Sequence, residues 1–183
     1  MLRKQQRSTG VSDAELIKVA VKSLGLSDLY PFKPDEKIFE TIEFEYDILV
    51  TRFRELAFLN SGLRIEIEDA RTGHKEQFYY KGGIISFVEH LNRTKDPIHK
   101  KPIYIKGERN GTVVEAALQY NDGYNETLFS FANNINTAEG GTHLIGFRTA
   151  LTRTINRYAT KNNMTKNSPA PSGEDVREGL TAI

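Results

Sequence analysis

The sequence predicts an α+β fold, a sheet of largely antiparallel strands with helices covering one face. Three observations carry this. LRIEIED (63–69) alternates apolar and charged residues at the period of a half-buried strand, and KEQFYY returns after the turn ARTGHK. Two further strand-like runs, 100–109 and 112–121, flank Asn110-Gly111, the pair that a two-residue type I′ hairpin favours. Residues 142–158 follow a different period. At about 100° per residue, Leu144, Phe147, Leu151, Ile155 and Tyr158 fall in a stripe narrower than a quarter-turn, as an amphipathic helix requires. Hairpin strands interspersed with such helices define the α+β class.

In chain order, residues 1–11 are basic and polar. Ser12 and Glu15 stand at capping-box spacing, and Leu16, Ile17, Ala20, Val21 and Leu24 share a helical face before Gly25. A short helix over 12–24 is the expectation. LSDLYPFKPDEKI is a proline-punctuated connection. TIEFEYDILVTRFRELAFLNSG reads as a short strand, then a helix with Leu49, Phe53, Leu56 and Ala57 inward, closed by Ser61-Gly62. Lys81-Gly82-Gly83 leads into a helix, IISFVEHLNRT, with Ile84, Phe87, Val88 and Leu91 on one side. Asp122-Gly123 marks a turn before a strand over 126–133, and INTAEGG is a polar loop. Gly140-Gly141 supply the backbone angles that the long helix needs at its entry, and Thr142 can cap it. KNNMTKNSPAPSG is a polar linker, after which Ser172 and Asp175 repeat the capping spacing ahead of a short helix, EDVREGL.

Composition narrows the classes of function. Twenty-five basic against 24 acidic residues leave a net charge of +1, which argues against a dedicated nucleic-acid tail while allowing a local basic patch. There is no cysteine, so disulfides and thiolate metal sites are excluded and a reducing cytoplasm fits. No apolar run approaches the roughly 18–20 residues that span a membrane, and MLRKQQRSTG lacks the apolar segment of a secretory signal.

No self-contained active site emerges. EGGTH could offer free N–H groups to an anion, but no phosphate-loop lysine follows and Glu139 would repel one, so it reads as a structural turn. His74, His90, His99 and His143 share no ligand spacing, and no catalytic or metal residue is assigned. NDGYNE lacks the twelve-residue calcium pattern and reads as turn chemistry. The arginines are the better lead. Arg148 lies at the edge of the apolar stripe, Arg153 and Arg157 project from the opposite face, and Lys161 lies beyond them. One reading of these cations is a solvated face that complements the helix dipole. The other is a set of phosphate contacts made without base specificity.

One long stretch carries a resemblance. ALQYNDGYNETLFSFANNINTAEGGTHLIGFRTALTRTINRY is similar to the B subunit of bacterial DNA gyrase or its topoisomerase IV counterpart. The likeness extends upstream through RELAFLNSGLRIEIED and YKGGIISFVEHLN and downstream to GEDVREGLTAI, covering residues 32–183. It implies a transducer domain with a fold like the second domain of ribosomal protein S5. It also implies that Arg148, in the G-F-R-x-A-L-T-R motif, looks into the cavity through which a DNA segment passes. Residues 1–31 depart from that pattern: the family would place a strand of the form GTTVTFKPD here, and only FKPDEKIFE matches. RSTGVSDAELIKVAVKSLGLSDLYPF instead resembles glutamate formiminotransferases, as a fusion, a rearranged gene or an engineered joint would produce.

The resemblance further implies what lies elsewhere. The family's ATP site, with its magnesium-holding Asn and Glu general base, belongs to an upstream domain. Its Q-T-K loop lysine and its acidic E-G-D-S-A cleavage segment are not in these residues. The expected function is therefore a transducer fragment of an ATP-hydrolysing type II topoisomerase, not catalytic alone and with no cofactor of its own. In the intact cytoplasmic enzyme its partners would be duplex DNA, the ATPase domain, the A subunit and a second copy. Arg148, Arg153 and Arg157 are the expected DNA contacts. Two rival readings are an S5-like nucleic-acid module and a docking helix over 12–24 for an unrelated protein.

Overall fold

A computed structural model describes residues 17–23, 26–29, 35, 37–38, 40–166 and 168–183, and the chain divides into two compact units between Gly83 and Ile84.

The first unit is a four-stranded sheet in the order β2-β1-β3-β4, formed by β1 (Ile17–Ser23), β2 (Leu26–Leu29), β3 (Arg64–Asp69) and β4 (His74–Tyr79). All its pairings are antiparallel. Helix α1 (Tyr46–Leu59) lays Val50 and Ala57 on Ile65, Ile67 and Phe78, with Leu49, Phe53 and Leu56 half-buried around them. The alternation read in LRIEIED is the observed one, since Ile65, Ile67 and Asp69 are buried and their neighbours are not. Asp69 closes this strand by receiving three N–H groups of Arg71: the backbone N and Nε on Oδ1 at 2.9 and 3.0 Å, and Nη2 on Oδ2 at 2.9 Å.

Two expectations for this unit are corrected. The helix expected over 12–24 is strand β1 where it is described, paired with β2 and along its length with β3; Ser12–Glu15 and Leu24–Gly25 lie outside the described residues. IKVAVKS supports both periods, but Ile17, Val19 and Val21 are β-branched at alternate positions, and β3 offers a ladder along one edge while β2 pairs with residues 20–23 on the other. The short strand expected just before α1 is irregular backbone, in which Phe44 O accepts from Arg71 Nη2 at 3.1 Å.

The second unit opens with α2 (Ile84–Leu91). The hairpin β5 (Ile103–Arg109) and β6 (Thr112–Tyr120) follows, with Asn110 and Gly111 both at positive φ, as a type I′ turn demands. Its sheet runs β5-β6-β10-β7, where β7 is Thr127–Leu128 and β10 is Leu180–Ala182. Strand β10 is antiparallel to β6 and parallel to β7. The helix expected over EDVREGL therefore ends early: α4 (Gly173–Arg177) has the expected Ser172–Asp175 capping box, and the chain then turns at Gly179 into β10. A Cβ at Gly179 would lie 2.4 Å from Asn121 O, so no larger residue fits this turn. The strand expected over 126–133 is likewise divided. Only Thr127–Leu128 joins the sheet, and β8 (Phe131–Ala132) folds back on β9 (Ile135–Asn136) through Asn133 and Asn134, both at positive φ.

Helix α3 (Thr142–Lys161) covers one face of this sheet: Phe147 and Leu151 pack on Leu118, Leu180 and Ala182. The alternate residues point the other way. Gln119 and Thr181 bond Asn92, just past α2, at 2.9 and 2.6 Å. The α+β class stands, with α1 on one face of the first sheet and helices meeting both faces of the second. Among the described residues no helix is long and apolar enough to cross a membrane.

Candidate nucleic-acid interface

Helix α3 is placed by its two ends and by its apolar side. At the entry Gly140 adopts φ +84°, Gly141 is the extended N-cap, and no side chain caps the helix; Thr142 is its first residue rather than its cap. Upstream, Thr137 is fixed by its backbone N–H on Ser130 O at 2.8 Å, and its hydroxyl meets His143 Nε2 at 3.1 Å. His143 thus engages Thr137, and EGGTH serves as the strand-to-helix corner. At the far end Asn156 Nδ2 holds Pro171 O at 3.0 Å, and Ala159 is buried. Tyr158, expected on the buried stripe, is 61% exposed, so the apolar contact ends about a turn earlier than the periodicity implies.

The outward side of α3 is chemically one-sided. Its 20 residues contain Arg148, Arg153, Arg157 and Lys161 and no carboxylate. Arg153, Arg157 and Lys161 are exposed and form no ion pair among the described residues. Four-residue steps at a rise of about 1.5 Å per residue set them about 6 Å apart along one line of a helix about 30 Å long. Ala150, Thr154 and Thr160, small and also exposed, flank this line. An acid-free cationic face of this kind suits a polyanion backbone.

Arg148 is not part of that line. It lies around the helix from Arg153 and Arg157, and Glu126 accepts its Nε at 3.1 Å and its Nη2 at 3.0 Å on the same oxygen, Oε1. The other oxygen, Oε2, accepts Arg177 Nε of α4 at 3.2 Å. Two guanidinium groups therefore share one carboxylate. On its open side Arg148 forms part of the wall of a 430 Å³ cleft together with Ser130, Asn136, Thr137 and Leu144. The structure brings Arg153 and Arg157 together and sets Arg148 apart. Sequence reasoning missed Glu126 and Arg177 as its partners, since separations of 22 and 51 residues carry no local signal.

The remaining candidates are structural. In NDGYNE, Asn121 Oδ1 accepts Gly123 N at 3.0 Å, the expected turn chemistry. His99 accepts Tyr120 N–H on Nε2 at 3.0 Å, while Nδ1 lies 2.8 Å from Lys101 O. Burial raises the Tyr120 hydroxyl pKa, and that hydroxyl donates to Val176 O at 2.7 Å. Asp175 is held below the usual carboxylate range by the Ser172 backbone N–H. No group of three or more His, Cys, Asp or Glu side chains among the described residues could hold a metal ion.

Comparison with known proteins matches the larger part of the chain to one family and its N-terminal part to another. The DNA gyrase B family model matches residues 83–183, and a formiminotransferase domain model matches residues 1–44. The chain belongs to the DNA gyrase B family. It is 63% identical over 155 residues to the DNA gyrase B protein of Halalkalibacterium halodurans, covering 83% of this chain and 24% of that protein. It is 53% identical to the Bacillus mycoides counterpart over 182 residues, covering 98% of this chain and 45% of that one. The chain thus spans less than half the length of either relative. Among solved structures, the 43K ATPase domain of Thermus thermophilus gyrase B in complex with an aminocoumarin superposes with a TM-score of 0.73 at 33% identity, over 93% of this chain and 54% of that one. The gyrase B protein of Myxococcus xanthus gives 0.70 at 24% identity, over 93% and 56%, which supports the fold.

Proposed function

We propose that these residues act as the transducer of a type II DNA topoisomerase B subunit, coupling ATP binding and hydrolysis elsewhere in that subunit to the passage of a DNA segment. The observation that carries the DNA side of this reading is the exposed line Arg153–Arg157–Lys161 on a helix without a carboxylate. Guanidinium and ammonium groups on a rigid helix bind phosphates without reading bases, which transport of arbitrary DNA requires. Rigid-body movement of a packed unit is the means by which such a domain would transmit nucleotide state. Within this reading the intact protein is cytoplasmic and works with duplex DNA, an ATPase domain, the A subunit and a second copy. ATP and magnesium belong to its other segments. Family membership disfavours the S5-like interaction module as an independent function.

The test is binding of labelled duplex DNA by the 183-residue chain across a salt series. Affinity should fall linearly on a log–log plot, with a slope near −0.9 for each phosphate engaged. Binding that is absent, or indifferent to salt, would remove the reading. The same chain should give no saturable heat with a nonhydrolysable ATP analogue and magnesium; micromolar binding would place a nucleotide site within these residues.

A further inference from the structure

We propose that Glu126 is a positioning residue that tempers Arg148, holding its guanidinium in place and competing with phosphate for it. The proposal rests on the reading that α3 meets DNA. Both carboxylate oxygens of Glu126 are engaged, Oε1 by Arg148 and Oε2 by Arg177, so the cluster carries one net positive charge instead of two. A carboxylate and a phosphate present the same kind of acceptor to a guanidinium. A phosphate arriving at Arg148 therefore meets an edge already occupied by an acceptor that is tethered beside it. The pair is open to such competition, because Arg148 and Glu126 side chains are 40% and 25% exposed. Arg177, at 18%, is the more enclosed of the two arginines and fixes the carboxylate from behind. Nε and Nη2 of Arg148 are taken by Glu126 while the residue still lines the cleft, so it is held in place without being fully available.

Removing the Glu126 charge should release a cation that the native protein holds in check. The experiment compares wild type, Glu126→Gln, Arg148→Gln and the double variant in the 183-residue chain, using labelled duplex DNA from about 50 to 200 mM salt, with a thermal melt of each. Glu126→Gln should bind about 3- to 10-fold more tightly at the low end, with a salt slope steeper by about 0.9, one phosphate's worth. Adding Arg148→Gln should erase that gain. Glu126→Asp provides a second route if the amide variant fails to fold. Its shorter carboxylate stays charged but retreats from Arg148, and a smaller gain in the same direction is expected. Unchanged or weaker binding by the folded Glu126 variants would overturn the proposal, as would a gain that survives removal of Arg148. Wild-type chain without salt-dependent binding would instead defeat the DNA reading itself, a distinguishable failure that takes this proposal with it.

Discussion

Two arginine–carboxylate pairs in this molecule look alike on paper and differ in what they do. In the first unit Asp69 is 2% exposed and receives three N–H groups of Arg71, whose Nη2 also donates to Phe44 O. In the second, Glu126 is a quarter exposed and divides its two oxygens between Arg148 and Arg177. In the first the carboxylate is enclosed and both its oxygens are engaged by one partner, where a strand ends and the chain turns. The second is shared, wetter and open on one side. Burial and satisfaction decide whether such a pair holds a fold or remains available to a ligand.

The largest difference should come from breaking the buried member. Asp69→Ala removes three charge-assisted hydrogen bonds and frees a loop, and should destabilise by about 2–3 kcal/mol in a denaturant melt. The bond from the Arg71 side chain, chiefly, holds the Asp69 carboxyl below the usual aspartate range. A depressed folded-state pKa stabilises the fold above the ordinary value of about 3.9, and that contribution disappears as pH falls through the lowered one. The stability gap between wild type and Asp69→Ala should therefore be constant near neutrality and narrow as pH falls below the ordinary aspartate value and through the lowered one. A gap that ignores pH would mean the aspartate acts through packing, not charge.

Next in size is the open line on α3. Replacing Arg153, Arg157 and Lys161 together with alanine should reduce the salt slope for duplex DNA by up to about 2.7, at 0.9 for each phosphate no longer engaged, and low-salt affinity by about 10- to 100-fold. Stability should stay within about 0.5 kcal/mol per site, as for most exposed positions. If DNA affinity survives and the melt falls, these cations belong to the fold and the contrast with Asp69 disappears.

How much of this was legible in the sequence follows from which interactions are local. The alternation in LRIEIED, the Asn110-Gly111 hairpin, the inward face of α1 and the capping box at Ser172 all depend on neighbours within a few residues, and all are present. What was missed depends on distant partners. IKVAVKS becomes a strand because β3 lies beside it, and Leu180–Ala182, the most buried strand of the second sheet, is too short to show any period at all. The same limit governs the site. The cations of α3 could be counted from the sequence, but their availability could not. Arg148, the favoured candidate there, proves to be the one already partnered.

The smallest effect is the most informative about that reversal. Arg148→Gln removes one of two arginines from Glu126 and leaves Arg177 to hold the carboxylate at 3.2 Å. The broken pair is partly exposed, and such pairs contribute about 0–1 kcal/mol, so the melt should shift by less than about 1 kcal/mol. DNA affinity of the otherwise native chain should fall by about twofold or less, with a salt slope close to wild type, because Glu126 already offsets this charge. In a complete gyrase B protein carrying these residues, the same change should reduce DNA stimulation of ATP turnover only modestly. The measurement is a denaturant melt beside a salt-series titration on one preparation. A destabilisation of about 2 kcal/mol or more, beyond what an exposed pair contributes, would place Glu126 and Arg148 with Asp69 and Arg71 as structural pairs. A drop in slope approaching about 0.9 would show that Arg148 reaches phosphate in spite of its carboxylate, and would return it to the front of the interface.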